Sequence, residues 1–555
     1  MSNTSRIAKN TLALYFRQIL IMLVSLYTVR VVLNTLGAQD YGIYNVVAGV
    51  VTMFGFLGGA MATASQRFFS FEMGKNESGT RGHSQLASES ADKEMLSQVQ
   101  HDGNLVVESV ESSGNTGLSH IFCVTLTIYA FLSIIIFILA ETLGLWFVGA
   151  KLVIPPERMV AAKWIYQCAV ISFLFTLMTT PYMSAIIAHE NMNVYAYVGI
   201  VEVILKLLVV FVLQVLDKIT ASHSEPTFFL GDKLILYGIL LLCVAVINTG
   251  LYRFYCKKHY KECRFKLLWD KEKFLEMFSY VGWNLFGSAV GVFKNQLVNI
   301  LLNQFFGAVV NAARAIAQQV SAAVTSFSQN FSTAIRPQII KTYAAEQKEE
   351  CLSLTFRGCR MTFFLMYIFT LPLVLEMPFV LNVWLKNPPE NAVVFASLVL
   401  IDALIDSVSY PIMTLAQATG KIKLYQSVVG GLLLLNFPVS YVLLKCGLPA
   451  YSVLVAGICI TFIAFVVRLF IVKLLTSFSL RRFFINVCLP IILVALLSAV
   501  VPVFARFFIK GEVLNFICTV FLSVSFTAVS VFFVGMSKKE RASVMNMVKR
   551  RVFHA

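Results

Sequence analysis

The chain has 555 residues, 58% of them hydrophobic and only 13% charged, with a mean hydropathy of +0.77. Soluble domains carry about a quarter charged residues, so water is excluded as the solvent for most of this surface. The net charge of +16 invites a nucleic-acid reading, but the Lys and Arg lie in short loops between apolar runs, where topology determinants belong; nucleic acid is excluded as a partner.

Apolar runs of about 20 residues, each long enough to cross a hydrocarbon core, recur along nearly the whole length. They predict an all-α polytopic membrane protein with about fourteen transmembrane helices. The first two fall at 12–36 and 42–64; the first run is of full length and has no cleavage site after it, so it reads as a retained helix. Residues 76–118 follow, rich in Ser, Gly, Asn, Glu and Gln. They hold too little apolar surface to order themselves and are predicted to be a disordered acidic cytoplasmic insert. Helices 3–6 are placed at 121–140, 161–188, 194–216 and 233–255, completing an N-lobe over 1–255. A basic cytoplasmic linker covers 256–276. Helices 7–12, at 277–303, 308–335, 360–383, 391–417, 424–445 and 448–472, form a C-lobe over 277–472. Helices 13 and 14, at 484–508 and 513–535, lie within 473–555 ahead of a basic cytoplasmic tail.

An even number of helices puts both termini on one side. The loops on that side hold about thirty Lys and Arg against about eight opposite, which marks it as cytoplasmic and predicts a multi-pass membrane protein with both termini in the cytoplasm. The two lobes repeat. Val29–Asn34 reads like Val298–Asn303 at an offset of 269. Pro181, Met183, Ala188 and Tyr195 fall opposite Pro411, Met413, Ala418 and Tyr425 at an offset of 230. Both lobes start on the same side, so the repeat is parallel, as in transporters that rock one half against the other.

Ionisable groups inside apolar runs are costly and normally face a cavity or a partner. Asn284, Ser288, Asn295, Asn299 and Asn303 form a polar stripe on helix 7, and Asn311, Arg314, Gln318, Ser321, Thr325 and Ser328 form another on helix 8. Together they point either to a shared wet cavity or to polar glue between helices. Lys294 lies about 100° off its stripe, at the rim or snorkelling. Arg30 and Arg314 are the strongest candidates for anion binding, since a guanidinium presents a planar fork to phosphate and stays charged. A diphosphate-linked lipid is one cargo such groups suit; tying helices through backbone carbonyls is the alternative. Glu202 and Lys206, one turn apart, read as an internal pair. Asp402 and Asp406, also one turn apart, read either as an ion-coupling site or as counter-charges to Lys294 or Arg314. Eleven scattered cysteines include no CxxC, and no catalytic, nucleotide-binding or metal-ligand motif occurs. No enzyme activity, cofactor or metal is expected.

Several segments carry a resemblance. Leu36-Gly37 with Asp40-Tyr41-Gly42-Ile43-Tyr44 and Gln66-Arg67 resembles the Wzx-type polysaccharide flippases of the MOP superfamily, which also holds the MATE exporters. So do Lys294-Asn295-Gln296 through Gly307, Asn311-Ala312-Ala313-Arg314-Ala315, Arg336-Pro337-Gln338-Ile339 and Ala416-Gln417-Ala418-Thr419-Gly420. The resemblance implies two six-helix lobes plus two trailing helices. It also implies translocation of an O-antigen-type oligosaccharide on undecaprenyl diphosphate from the cytoplasmic to the periplasmic leaflet, as a step of polysaccharide or lipopolysaccharide biosynthesis. Cationic cavity residues are a theme of that family, and Arg30, Lys294 and Arg314 are where it falls here, with Asn295, Asn299, Asn303 and Gln318 beside them. Implied partners are the lipid-linked oligosaccharide, membrane lipids, a polysaccharide polymerase and glycosyltransferases. A MATE-type cation-coupled multidrug antiporter and a scaffold of the assembly complex are the alternative readings. The long insert after helix 2 departs from the family pattern.

Overall fold

A computed structural model describes residues 3–52, 54–89, 96–150, 154–220, 232–264, 270–385, 387–476, 478–509, 511–538, 540–542 and 545. Within its helices, the side chains of 3–6, 25–26, 29–30, 33–34, 45–46, 77–89, 96–115, 216–220 and a few single positions lie outside the description. No strand occurs among the described residues. The helices are α1 (Asn3–Thr52), α2 (Gly55–Glu89), α3 (Leu96–Leu139), α4 (Leu145–Ala150), α5 (Met159–Ala188), α6 (Met192–Thr220), α7 (Lys233–His259), α8 (Lys271–Ala344), α9 (Lys348–Leu375), α10 (Met377–Leu385), α11 (Ala392–Ser407), α12 (Ser409–Ala418), α13 (Ile422–Leu434), α14 (Asn436–Lys445), α15 (Ser452–Leu475), α16 (Leu480–Phe483), α17 (Leu489–Phe508) and α18 (Glu512–Ser530).

Among the described residues, 11 helical stretches are long and apolar enough to cross a membrane. The three remaining expected spans fall on α1, on α1 with α2, and on the second part of α8. α1 breaks at Gly37 (φ 80, ψ 165) and α8 at Gly307 (φ 78, ψ −169). This region of backbone space belongs essentially to glycine, so each is two helices joined at a kink, as the gaps after 36 and after 303 predict. The protein is an all-α, multi-pass membrane protein. Its outward surface agrees: Phe507 and Phe508 are 81% and 82% exposed, which is tolerable where the surrounding medium is hydrocarbon.

Three expected helices are divided, each by a proline. Pro378, Pro411 and Pro438 follow breaks at Glu376, Val408 and Leu435. Proline lacks the amide that would reach the carbonyl four residues back, and its ring crowds that carbonyl. The expected span 42–64 is likewise shared between α1 and α2. Residues 76–118 differ from expectation as well: α2 continues to Glu89 and α3 starts at Leu96. Extending a helix already anchored in the membrane needs no new nucleus, and composition alone does not register that advantage.

The chain divides into two compact units, Met1–Ser288 with Ala344–Glu346, and Ala289–Tyr343 with Gln347–Ala555. The first packs around Val47, Val148, Ala162, Tyr166 and Leu234. At one end of it, Arg158 holds Asp40 and, at 2.8 Å, Asp232, fastening α1 and the start of α7 to the start of α5. At the other, His189 stacks on Tyr260 and meets Glu262 at 2.6 Å. The second unit packs around Leu302, Ala317, Met366, Phe395 and Leu400. The repeat is visible in the backbone. Gly37 and Gly307 share one rare conformation 270 residues apart. Glu190 (φ 60) and Gly420 (φ 77), 230 apart, both turn left-handed just past a helix end.

Candidate functional site: a cationic cleft in the second unit

α8 carries Lys294, Asn295 and Asn299 before its break and Arg314 and Gln318 after it. In an unbroken helix, residues 299 and 314 would lie about 22 Å apart. Instead Arg314 Nε donates to Asn299 Oδ1 at 2.6 Å. The glycine conformation at 307 therefore creates the site, by folding the second span back beside the first.

Lys294, Asn295, Arg314 and Gln318 line one narrow cleft of about 30 Å³, together with Asp402 from α11, Asn436 from α14 and Gly457 from α15. Lys294 Nζ donates to Thr461 Oγ1 at 3.2 Å and sits 3.6 Å from Asp402 Oδ2. Arg314 is only 3% exposed, and its Nη1 is buried with no hydrogen-bond partner; the other oxygen of Asp402, Oδ1, is in the same state. Two cations thus face one carboxylate. A buried guanidinium with an open N–H edge costs free energy until an acceptor arrives. The arrangement favours a small anionic acceptor at that edge and is too small for a glycan.

Lys294 lines the cleft rather than sitting at a rim. Asn299 lies one layer back, as the group that orients Arg314. Asn303 is exposed and is not part of the lining. Asp406 does not pair with Asp402: it accepts from Arg468 Nη1 at 2.7 Å. Each carboxylate of the pair holds its own cation, which is the geometry of internal counter-charge. The side chain of Arg30 lies outside the described residues. Glu202 and Lys206 pair at 2.6 Å, and Asn248 donates to Glu202 at 3.1 Å. They line a separate cleft in the first unit, with Tyr44, Ser172 and Thr176.

Sequence reading missed Arg468, Thr461 and Asn436. Arg468 stands five residues before Lys473 at the end of an apolar run, where a cation reads as a topology signal; only the packing of α15 on α11 turns it toward Asp406. Among the described residues, no cluster of three or more His, Cys, Asp or Glu could hold a metal ion.

No family model matches the sequence, and no curated protein matches it. Solved structures do. An outward-facing multidrug resistance MATE family transporter of the MOP superfamily superposes with a TM-score of 0.65 at 10% identity, covering 85% of this chain and 96% of its own. The fold is that of the MATE transporters. The MATE transporter ClbM, in complex with Rb+, gives a TM-score of 0.61 at 13% identity, over 87% of this chain and 97% of that one. The Vibrio cholerae MATE transporter VcmN, in a mutant form, gives 0.58 at 12% identity, over 85% and 96%. The MATE fold spans nearly the whole length of each neighbour, and at this level of identity the likeness concerns architecture alone.

Proposed function

We propose that the protein is a flippase for an oligosaccharide carried on undecaprenyl diphosphate, moved by alternating access from the cytoplasmic to the periplasmic leaflet of the inner membrane. One observation carries this reading: the unpartnered Nη1 of buried Arg314, beside Lys294, in a cleft whose lining bears more positive than negative charge. A diphosphate supplies the missing acceptors through charge-assisted bonds. Lys294 is held by Asp402 when the cleft is empty and turns to the cargo when it is full. The glycan lies outside the cleft, so cargo selection rests on the lipid diphosphate.

The expected outcome is that Arg314→Ala, verified in the membrane, lowers transport of lipid-linked oligosaccharide in proteoliposomes by about tenfold or more, from a loss of about 1.5–3 kcal/mol. It also fails to restore surface polysaccharide in a flippase-null strain. Arg314→Lys recovers part of the activity, because the ammonium keeps the charge but not the fork. Undiminished transport by Arg314→Ala would remove the assignment. A second reading, a cation-coupled drug antiporter, is favoured by the MATE fold and by Asp402. It predicts that Asp402→Asn abolishes gradient-driven efflux of a cationic dye while Arg314→Ala leaves that efflux intact.

A further inference from the structure

In the first unit, four helices enclose a cleft of about 260 Å³, against about 30 Å³ for the cleft around Arg314. That approaches the lower end of small-molecule pockets, about 300 Å³. Tyr44 comes from α1, Ser172, Phe173 and Thr176 from α5, Glu202 and Lys206 from α6, and Asn248 from α7. Along α6 the exposed Val201, Ile204, Leu208 and Val215 form one apolar stripe. Glu202 and Lys206 lie roughly 130–170° around the helix from it, so the pair faces the cleft and not the lipid.

Charge and hydrogen bonding decide what fits there. Lys206 Nζ donates to Glu202 Oε1 at 2.6 Å, and Asn248 Nδ2 donates to Glu202 Oε2 at 3.1 Å. Glu202 and Lys206 are the two charged groups of the lining, which therefore carries no net charge. With its nitrogen turned to Glu202, Asn248 directs its oxygen elsewhere, and Oδ1 is buried without a hydrogen-bond partner. Such an acceptor costs free energy until an O–H or N–H reaches it. Lys206, its side chain 47% exposed, keeps further N–H groups for a second oxygen. Most of the remaining lining is apolar or aromatic, with Tyr44 and Phe173 among Ile165, Leu241 and Val244.

We infer that this cleft binds a sugar ring. One hydroxyl donates to Asn248 Oδ1, and a neighbouring sugar oxygen accepts from Lys206 Nζ. The C–H face of the ring lies on the aromatic surface of Tyr44 and Phe173, whose π-faces carry partial negative charge. A neutral ring with hydroxyls on its rim and C–H bonds on its faces matches both parts of the lining. An ammonium would meet Lys206, and a phosphate would meet Glu202. The inference rests on the flippase reading only for the source of the sugar, the glycan that the Arg314 cleft leaves outside.

The test is native mass spectrometry of the full chain in detergent with three probes: undecaprenyl diphosphate, ethidium, and the cell's lipid-linked oligosaccharide freed from its lipid by mild acid. The wild type should retain the free oligosaccharide with a dissociation constant below about 1 mM and should not retain ethidium. Asn248→Leu, of nearly the same volume, removes the acceptor and should weaken oligosaccharide retention about tenfold. Ser172→Phe fills the cleft from another helix without touching the polar pair, and should weaken it at least as much. Either variant decides the question if the other unfolds. Both should leave undecaprenyl diphosphate retention unchanged, and Arg314→Ala should do the reverse. The inference is overturned if the wild type retains no oligosaccharide, or if both variants retain it fully. It is overturned too by ethidium retention that Asn248→Leu abolishes, or by loss of undecaprenyl diphosphate on Ser172→Phe, which would give the cleft to the lipid tail. Absence of undecaprenyl diphosphate binding, with oligosaccharide retention still sensitive to Asn248→Leu, would instead overturn the flippase reading and leave the sugar site standing.

Discussion

Arg360 and Glu540 show what a charge pair is worth when taken out of water. Both side chains are 10% exposed; Arg360 Nη2 meets both carboxylate oxygens at 2.9 Å while Nη1 donates to the Asn486 carbonyl at 2.7 Å. Arg357 approaches the same carboxylate at 3.3 Å. Removing one member of a buried pair strands the other, at about 3–5 kcal/mol. Glu540→Ala should therefore lower the unfolding temperature by several degrees, read by scanning fluorimetry in detergent. Arg482 and Glu349 form the contrasting case, 62% and 83% exposed at 3.1 Å. Such a pair contributes at most about 1 kcal/mol, and Arg482→Ala should leave the same measurement unchanged. Similar unfolding shifts for both variants would contradict this ranking. The buried pair also ties the segment after α18 to α9, fixing chain that would otherwise read as the start of a solvated basic tail.

At the scale of elements, Gly307 carries the argument. A Cβ placed there meets nothing within 4 Å, so Gly307→Ala creates no clash. Its cost is conformational, about 1–3 kcal/mol for a residue forced to keep a left-handed φ. The expected result is a variant that folds and inserts but loses transport along with stability, because straightening this turn separates Asn299 from Arg314. Full transport at unchanged thermal stability would show that the break is tolerant of side chains. The breaks before Pro378, Pro411 and Pro438 are of another kind. They interrupt single spans without reversing them, and so do not create new neighbours.

At the scale of the whole molecule, the charge bias of the loops fixes orientation more strongly than any packing interaction does. Each loop cation that crosses the membrane wrongly placed adds to the insertion cost. We propose on that ground that both termini face the cytoplasm. Green fluorescent protein fused after Ala555 should fluoresce, alkaline phosphatase fused there should be inactive, and phosphatase fused between α6 and α7, at Asp232, should be active. The opposite pattern would reverse the direction assigned to transport.

Membrane residence, all-α architecture, the approximate number of spans and the parallel repeat were determined by the sequence itself. Each depends only on what a residue is and how far along the chain it lies, since apolar runs must match the bilayer wherever they stand. The polar stripes around Asn295 and Arg314 were legible for the same reason, since helical periodicity alone puts them on one face. Tertiary structure alone decided which charges meet. Nothing in the order of residues links Asp406 to Arg468, 62 positions away, or Lys294 to Thr461, 167 away. It also left open whether Asp402 and Asp406 face each other or face separate cations. A charge in hydrocarbon must find a partner, but the partner is chosen by helix packing, and packing depends on the shapes of every side chain in the unit at once.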